Sequence, residues 1–207
     1  GAFYQPEFVL IDVRALLSLP GREYVEGLAE VVKYGVVLDR DFFEFLERNS
    51  EGVMRRDPQI LMELVRKSCE IKASIVEKDE RESGLRMVLN FGHTVGHALE
   101  AAATYGRLRH GEAVSIGMVV AMKIAHRLGM LGREELERVV RLLRDFRLPV
   151  EVPPEFREEA KIGELFSHMM LDKKARRGNP RFVLPQGVGG FEVCEDVPLG
   201  LVRECLS

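Results

Sequence analysis

Long apolar runs are missing from this sequence. No stretch approaches the roughly 20 apolar residues that a membrane-spanning helix needs, and the start lacks the charged and apolar segments of a secretory signal. Cysteine is scarce. Cys69, Cys194 and Cys205 are widely spaced and odd in number, which suits a reducing compartment better than a disulfide framework. Basic charge is not in excess either. A net charge of −3 and a pI near 6.0 exclude the positive field that gathers nucleic acid or anionic lipid. The expectation is a soluble, cytoplasmic protein whose partners include neither nucleic acid nor membrane. A glycine-rich strand-to-helix turn of the dinucleotide-binding type is also absent, because Gly187, Gly189 and Gly190 lie between strand-like runs late in the chain. Lysine is the rarer cation, with 8 Lys against 22 Arg. A lysine inside a motif is therefore the more informative one, since chemistry distinguishes a compact ammonium from a planar guanidinium.

What is present is ordinary globular material: 207 residues, 46% hydrophobic and 30% charged, enough for one sizeable core. Apolar residues recur at helical spacing over about 22–37, 39–49, 60–75, 90–103, 110–128, 133–146 and 162–171. Asp57-Pro58 marks a helix start, and the three prolines within residues 148–155 mark a loop. Residues 8–12 read as a short buried strand. Residues 181–184 and 191–193 read as a hairpin around the glycines at 187–190. The fold class expected is mainly α, one multi-helical domain over residues 1–207 with a few short strands.

Against that background a few side chains carry chemistry. His93 and His97 are four residues apart, one helical turn on one face. They can bind a metal together, or one can bind while the other works on substrate. The alternative is a capping or core pair. Each is preceded by a glycine, Gly92 and Gly96, which costs a helix roughly 1 kcal/mol relative to alanine and so points to a packing or ligand requirement. His110 opens the next helix, where it can reach into a cleft, although a lone histidine there is more often a surface or cap residue. Glu30 and Lys33 share a helix face. Such a pair is usually solvated and of little consequence, but Leu28, Ala29, Val31 and Val32 make this helix look buried, and a buried carboxylate needs a cation. Two histidines and a carboxylate suit catalytic zinc with an open position, and would also serve iron or cobalt. His126 and His168 read as structural or surface residues. Lys72, Arg86 and the pair Lys173-Lys174 form a cationic set. Solvent exposure is the competing explanation for each, while the apolar residues 87–89 that follow Arg86 would aim it inward. Cations around a metal suggest an anionic substrate such as a phosphate ester.

Taken together, several segments resemble the C-terminal half of the 3-dehydroquinate synthase family. They are Leu19-Pro-Gly-Arg22, residues 26–33, Lys78-Asp-Glu-Arg81, Gly84-Leu-Arg86, Leu89-Asn-Phe-Gly-His-Thr-Val-Gly-His97, His110-Gly-Glu-Ala113 and Asp172-Lys-Lys174. The resemblance implies a dehydroquinate synthase-like fold in which Glu30, His93 and His110 are the metal ligands, to Zn²⁺ or Co²⁺. It implies that His97 stands near the substrate's phosphate and the proton-transfer steps. Lys33, Lys72, Arg86 and Asn90 would grip the substrate's carboxylate, hydroxyls or phosphate, with Lys173 or Lys174 as a further substrate lysine. Ala15, Leu16, Leu17 and Ser18 would touch NAD from the edge of the domain. The activity implied is conversion of 3-deoxy-arabino-heptulosonate 7-phosphate to 3-dehydroquinate and phosphate in the shikimate pathway, towards chorismate and the aromatic amino acids. NAD is oxidant and then reductant, so the net reaction is a lyase-type cyclisation, and the family pattern is a homodimer.

The family's N-terminal nucleotide-binding domain has no counterpart in these 207 residues. Residues 1–20 are therefore expected to be the junction to it, the chain to be a fragment, and synthase activity of the chain alone to be slight or nil. Related readings are a cyclase for another sugar phosphate, such as 2-deoxy-scyllo-inosose synthase, and a metal-dependent polyol dehydrogenase. A non-enzymatic helical scaffold is the reading from a different class.

Overall fold

The computed structural model describes residues 6–79, 84–103, 107–171 and 180–206. Ten α-helices account for most of them: α1 (Ala15–Ser18), α2 (Gly21–Val37), α3 (Arg40–Arg48), α4 (Ser50–Met54), α5 (Pro58–Lys78), α6 (His93–Ala102), α7 (His110–Arg127), α8 (Arg133–Asp145), α9 (Glu159–Leu171) and α10 (Leu199–Leu206). Short 3-10 helices cover Leu85–Asn90 and Pro154–Phe156. The strands β1 (Phe182–Pro185) and β2 (Phe191–Cys194) pair antiparallel, with Phe182 opposite Cys194 and Pro185 opposite Phe191.

Helix α7 is the axis of the molecule. Residues 113–122 are buried without a break, the signature of a helix covered on every side rather than along one stripe. Helices α2, α6, α8 and α10 and strand β1 pack around it. Only one polar side chain in its core needs a partner, and Ser115 finds one by donating to the Pro149 carbonyl at 2.7 Å. Starts are set by local chemistry. Asp39 accepts from the Phe42 amide at 2.8 Å ahead of α3, and Asp57 accepts from the amides of Gln59 and Ile60 ahead of α5, with Pro58 in the first helical position.

The helical expectations hold, with four differences. Residues 8–12 form no strand and are not buried: Phe8 is 80% and Leu10 87% exposed. Among the described residues no strand lies beside this segment to take its backbone hydrogen bonds, and an apolar run alone does not supply one. The helix expected from Asn90 begins three residues later, because Gly92 takes a positive φ of 80° and separates the 3-10 helix from α6. Helix α9 starts at Glu159, ahead of the expected 162. The short helices α4 and α10 were not legible from periodicity.

Candidate metal centre and substrate cleft

Three helix segments converge on one point. Glu30 lies midway along α2, His93 is the first residue of α6 and His110 the first of α7. Glycines let these segments meet. A Cβ on Gly92 would lie 2.6 Å from the Met118 side chain and 2.7 Å from the Val114 carbonyl, and one on Gly111 would lie 2.1 Å from the Glu26 carbonyl. Those contacts press α6 onto α7 and α7 onto α2, and no larger residue fits without moving a helix. Ion pairs fasten the ends of α2 and α7: Arg22 grips the Glu112 carboxylate through two nitrogens at 2.8 and 2.9 Å, and Arg109 meets Glu23 at 2.7 Å. Glu112 also accepts from the Arg109 amide at 3.0 Å, capping α7 directly beside His110.

The polar atoms at the meeting point lack a proton to share. His93 Nδ1 lies 3.1 Å from the Phe91 carbonyl, and His110 Nδ1 lies 3.0 Å from a Glu100 carboxylate oxygen. Each contact puts a hydrogen on Nδ1, so in each neutral ring Nε2 is left as a bare lone pair. Those lone pairs face Glu30 Oε1, at 3.5 Å from His93 and 3.9 Å from His110. Glu30 Oε1 is itself buried and has no hydrogen-bond partner among the described residues. Burial and then the charge of Lys33 push the His93 imidazole down to about 4, so it does not answer the carboxylate by protonating. Three electron-pair donors converge on a volume without a donor, an arrangement that calls for a cation. A tetrahedral ion with bonds of about 2.0–2.1 Å separates its ligand atoms by roughly 3.3 Å, and the three candidate ligand atoms here all lie within 4.8 Å of one another. The nitrogen and oxygen set suits zinc or cobalt better than a hard cation, which prefers oxygen alone.

The second carboxylate oxygen of Glu30 is held by Lys33, which also donates to the Leu89 carbonyl at 2.8 Å. Lys33 is buried, and desolvation pulls its ammonium below the ordinary lysine value against the attraction of Glu30. The Glu30–Lys33 pair is therefore not the solvated one that an arbitrary Glu-x-x-Lys makes. Beside it opens a cleft of about 440 Å³ lined by Glu30, Lys33, Lys72, Arg86, Asn90 and His93, together with Tyr34 and Arg181. Asp79 supports the segment that carries two of these lining residues. Its buried carboxylate accepts from the amides of Gly84 and Arg86 at 2.9 Å each, fixing the start of the 3-10 helix that carries Arg86 and Asn90.

The expected site residues thus fall into groups. Glu30, His93 and His110 come together, and Lys33, Lys72, Arg86 and Asn90 line the cleft that begins at Glu30 and His93. His97 is exposed and does not line that cleft, its ring 5.2 Å from that of His93 and 6.0 Å from that of His110. Ala15, Leu16, Leu17 and Ser18 form α1, away from this cleft. The Leu16 and Leu17 carbonyls accept from Arg56 at 2.9 Å, and Leu17 borders a separate apolar hollow with Ile11, Pro58, Leu61 and Met62. Lys173 and Lys174 lie outside the described residues. His126 is structural, its Nδ1 2.9 Å from the Leu131 carbonyl at the end of α7, and His168 is a half-buried residue on α9. Sequence reasoning missed Glu100, Asp79 and Arg181. Glu100 stands three residues after His97 and Asp79 lies inside a motif already noted, but nothing local marks Arg181 as other than a strand residue.

The model of the 3-dehydroquinate synthase C-terminal family matches residues 27–175. The 3-dehydroquinate synthase of Geobacter metallireducens is 52% identical over 194 residues, covering 93% of this chain and 52% of the relative. That of Thermodesulfovibrio yellowstonii is 46% identical over 193 residues, covering 93% and 53%. The chain thus spans about half the length of the curated relatives it matches. Among solved structures, 2-epi-5-epi-valiolone synthase from Streptomyces hygroscopicus subsp. jinggangensis, with NAD⁺ and Zn²⁺ bound, superposes with a TM-score of 0.84 at 30% identity, covering 95% of this chain and 53% of that one. 2-Deoxy-scyllo-inosose synthase complexed with carbaglucose-6-phosphate, NAD⁺ and Co²⁺ gives 0.83 at 27% identity, covering 99% and 57%. No described helix is long and apolar enough to cross a membrane. The helical fold and the sequence match agree, and the chain belongs to the 3-dehydroquinate synthase C-terminal family.

Proposed function

We propose that this chain is the metal- and substrate-binding half of a 3-dehydroquinate synthase, turning 3-deoxy-arabino-heptulosonate 7-phosphate into 3-dehydroquinate and phosphate. The observation that carries the reading is the unpartnered Glu30 Oε1 facing the bare Nε2 atoms of His93 and His110, at the edge of a cleft lined by Lys33, Lys72, Arg86 and Asn90. Glu30, His93 and His110 would hold one Zn²⁺ or Co²⁺, which when bound polarises substrate hydroxyls as a Lewis acid. Lys33 fixes the Glu30 carboxylate through one hydrogen and the Leu89 carbonyl through another, so its third is left for a substrate oxygen. Lys72 and Arg86 supply positive charge where a phosphate would be bound and released. His97, exposed beside His93 and His110, would hold or pass a proton at the substrate's edge. We assign NAD mainly to a nucleotide-binding half of the kind that relatives twice as long would include. Residues 15–18 offer at most an apolar edge to it.

The test joins this chain to its N-terminal half and supplies the heptulosonate phosphate. Phosphate and a carbocycle should appear in equal amounts with no net NADH, and this chain alone should give little or no turnover. Net NADH formation would favour a polyol dehydrogenase instead. Turnover of glucose 6-phosphate in place of the heptulosonate would favour the scyllo-inosose type. Full activity from the 207 residues alone would refute the need for a second half.

A further inference from the structure

We infer that Arg181 is a further substrate-anchoring residue of this cleft, one that holds an anionic oxygen group of the sugar acid phosphate. The inference rests on the function proposed above and names a residue that function did not use. Arg181 stands immediately before β1, and its backbone is tied to the histidine helix, because the Thr94 hydroxyl donates to the Arg181 carbonyl at 2.8 Å. Thr94 directly follows His93, so the Arg181 backbone is anchored to the helix that carries this proposed ligand. Its side chain is only 19% exposed and lines the cleft with Lys33, Lys72 and Arg86.

The polar accounting points to a ligand. Among the described residues Arg181 forms one ion pair, with Glu195 at 3.0 Å from Nη2. Its Nε is buried and has no hydrogen-bond partner among the described residues. Nε and Nη2 form the edge of a guanidinium that grips a carboxylate or phosphate through two parallel hydrogen bonds, and here half of that edge is unused. A buried N–H without an acceptor is costly, and such groups in folded proteins call for an explanation. An incoming oxyanion supplies one. The charge of the cleft agrees: Lys33, Lys72, Arg86 and Arg181 oppose the single carboxylate of Glu30, a net of +3 from those side chains. A substrate with a phosphate, which carries about −1.5 to −2, and a carboxylate roughly neutralises it.

A structural role is the competing explanation. Arg181 and Glu195 lie one step beyond the Phe182–Cys194 pair, so their ion pair could simply clamp the open end of the hairpin. The two roles separate by breaking the pair from either side in the joined, two-half enzyme. If Arg181 holds substrate, Arg181→Gln raises KM tenfold or more at unchanged metal content, while Glu195→Gln leaves KM within twofold or lowers it. Arg181→Lys should recover part of the loss. A raised inhibition constant for inorganic phosphate in Arg181→Gln would place the phosphate on Arg181, and an unchanged constant with a raised KM would place the carboxylate there. Equal changes in KM for Arg181→Gln and Glu195→Gln, or none in Arg181→Gln, would overturn the inference. Failure of the unaltered enzyme to turn over the sugar phosphate would instead overturn the function on which it rests.

Discussion

The two ends of the cleft are built differently. At the end proposed to hold the metal, Glu30, His93 and His110 all stand on regular helices, and each atom that would orient them is supplied by this chain: Phe91 for His93, Glu100 for His110 and Lys33 for Glu30. At the cationic end Arg86 sits on a 3-10 turn and Arg181 outside regular structure, while Lys72 is exposed on α5. The first end is preorganised before anything binds. The second is a set of charges whose geometry a ligand would complete. A rigid helical corner suits an ion that demands fixed distances, whereas a large anion tolerates several arrangements of long side chains.

The contrast can be broken most directly at the metal end. Replacing His93 with alanine should remove metal binding altogether, measured by metal content after dialysis, and should leave the helical circular dichroism largely intact. A smaller loss is expected one bond away. Glu100→Gln keeps the size of the side chain but weakens the acceptor that orients His110, and should lower metal affinity about 10–100-fold, the usual effect of removing such an outer partner. Competition with a chelator would read this, and unchanged affinity would show that His110 needs no orientation.

Changes at the cationic end should leave the metal alone. Lys72→Ala is expected to raise KM of the joined enzyme about tenfold, or roughly 1.4 kcal/mol, at unchanged metal affinity. A parallel loss of metal would mean the two ends are one cooperative unit. The smallest effect lies away from both. Burial pushes the Tyr24 phenol up to about 12, against an ordinary 10.0, and its hydroxyl donates to the Val53 carbonyl at 2.6 Å. Because the folded value is the higher one, this contribution is complete below pH 10 and is lost as pH rises through 12. Tyr24→Phe should cost about 1 kcal/mol at neutral pH, a fall of roughly 2–4 °C in Tm, and should flatten the alkaline decline in stability.

Much of this was legible in the sequence because it is local. Helical periodicity exposed α2, α5, α7 and α8, whose apolar residues answer to one core. The glycines before His93 and His97 announced close backbone approach, and Gly92 supplies it. Glu30, with its apolar flanks, was readable as a carboxylate that needs a cation. What escaped depends on distant neighbours. The apolar residues 8–12 looked buried, yet whether such a run is covered depends on what lies beside it, which the run does not encode. Arg181 reads as a strand residue until the fold sets it against Lys33 and Arg86. Glu100 reads as a solvated helix residue until α7 brings His110 to within 3.0 Å.

The central claim is that Glu30, His93 and His110 form one metal site within this chain. Titrating Zn²⁺ into the metal-free 207-residue protein, beside Glu30→Ala, His93→Ala and His110→Ala, tests it most directly. The account predicts one tightly bound ion per chain, lost in each of the three variants. An unaltered protein that binds no ion, or variants that keep it, would contradict the account.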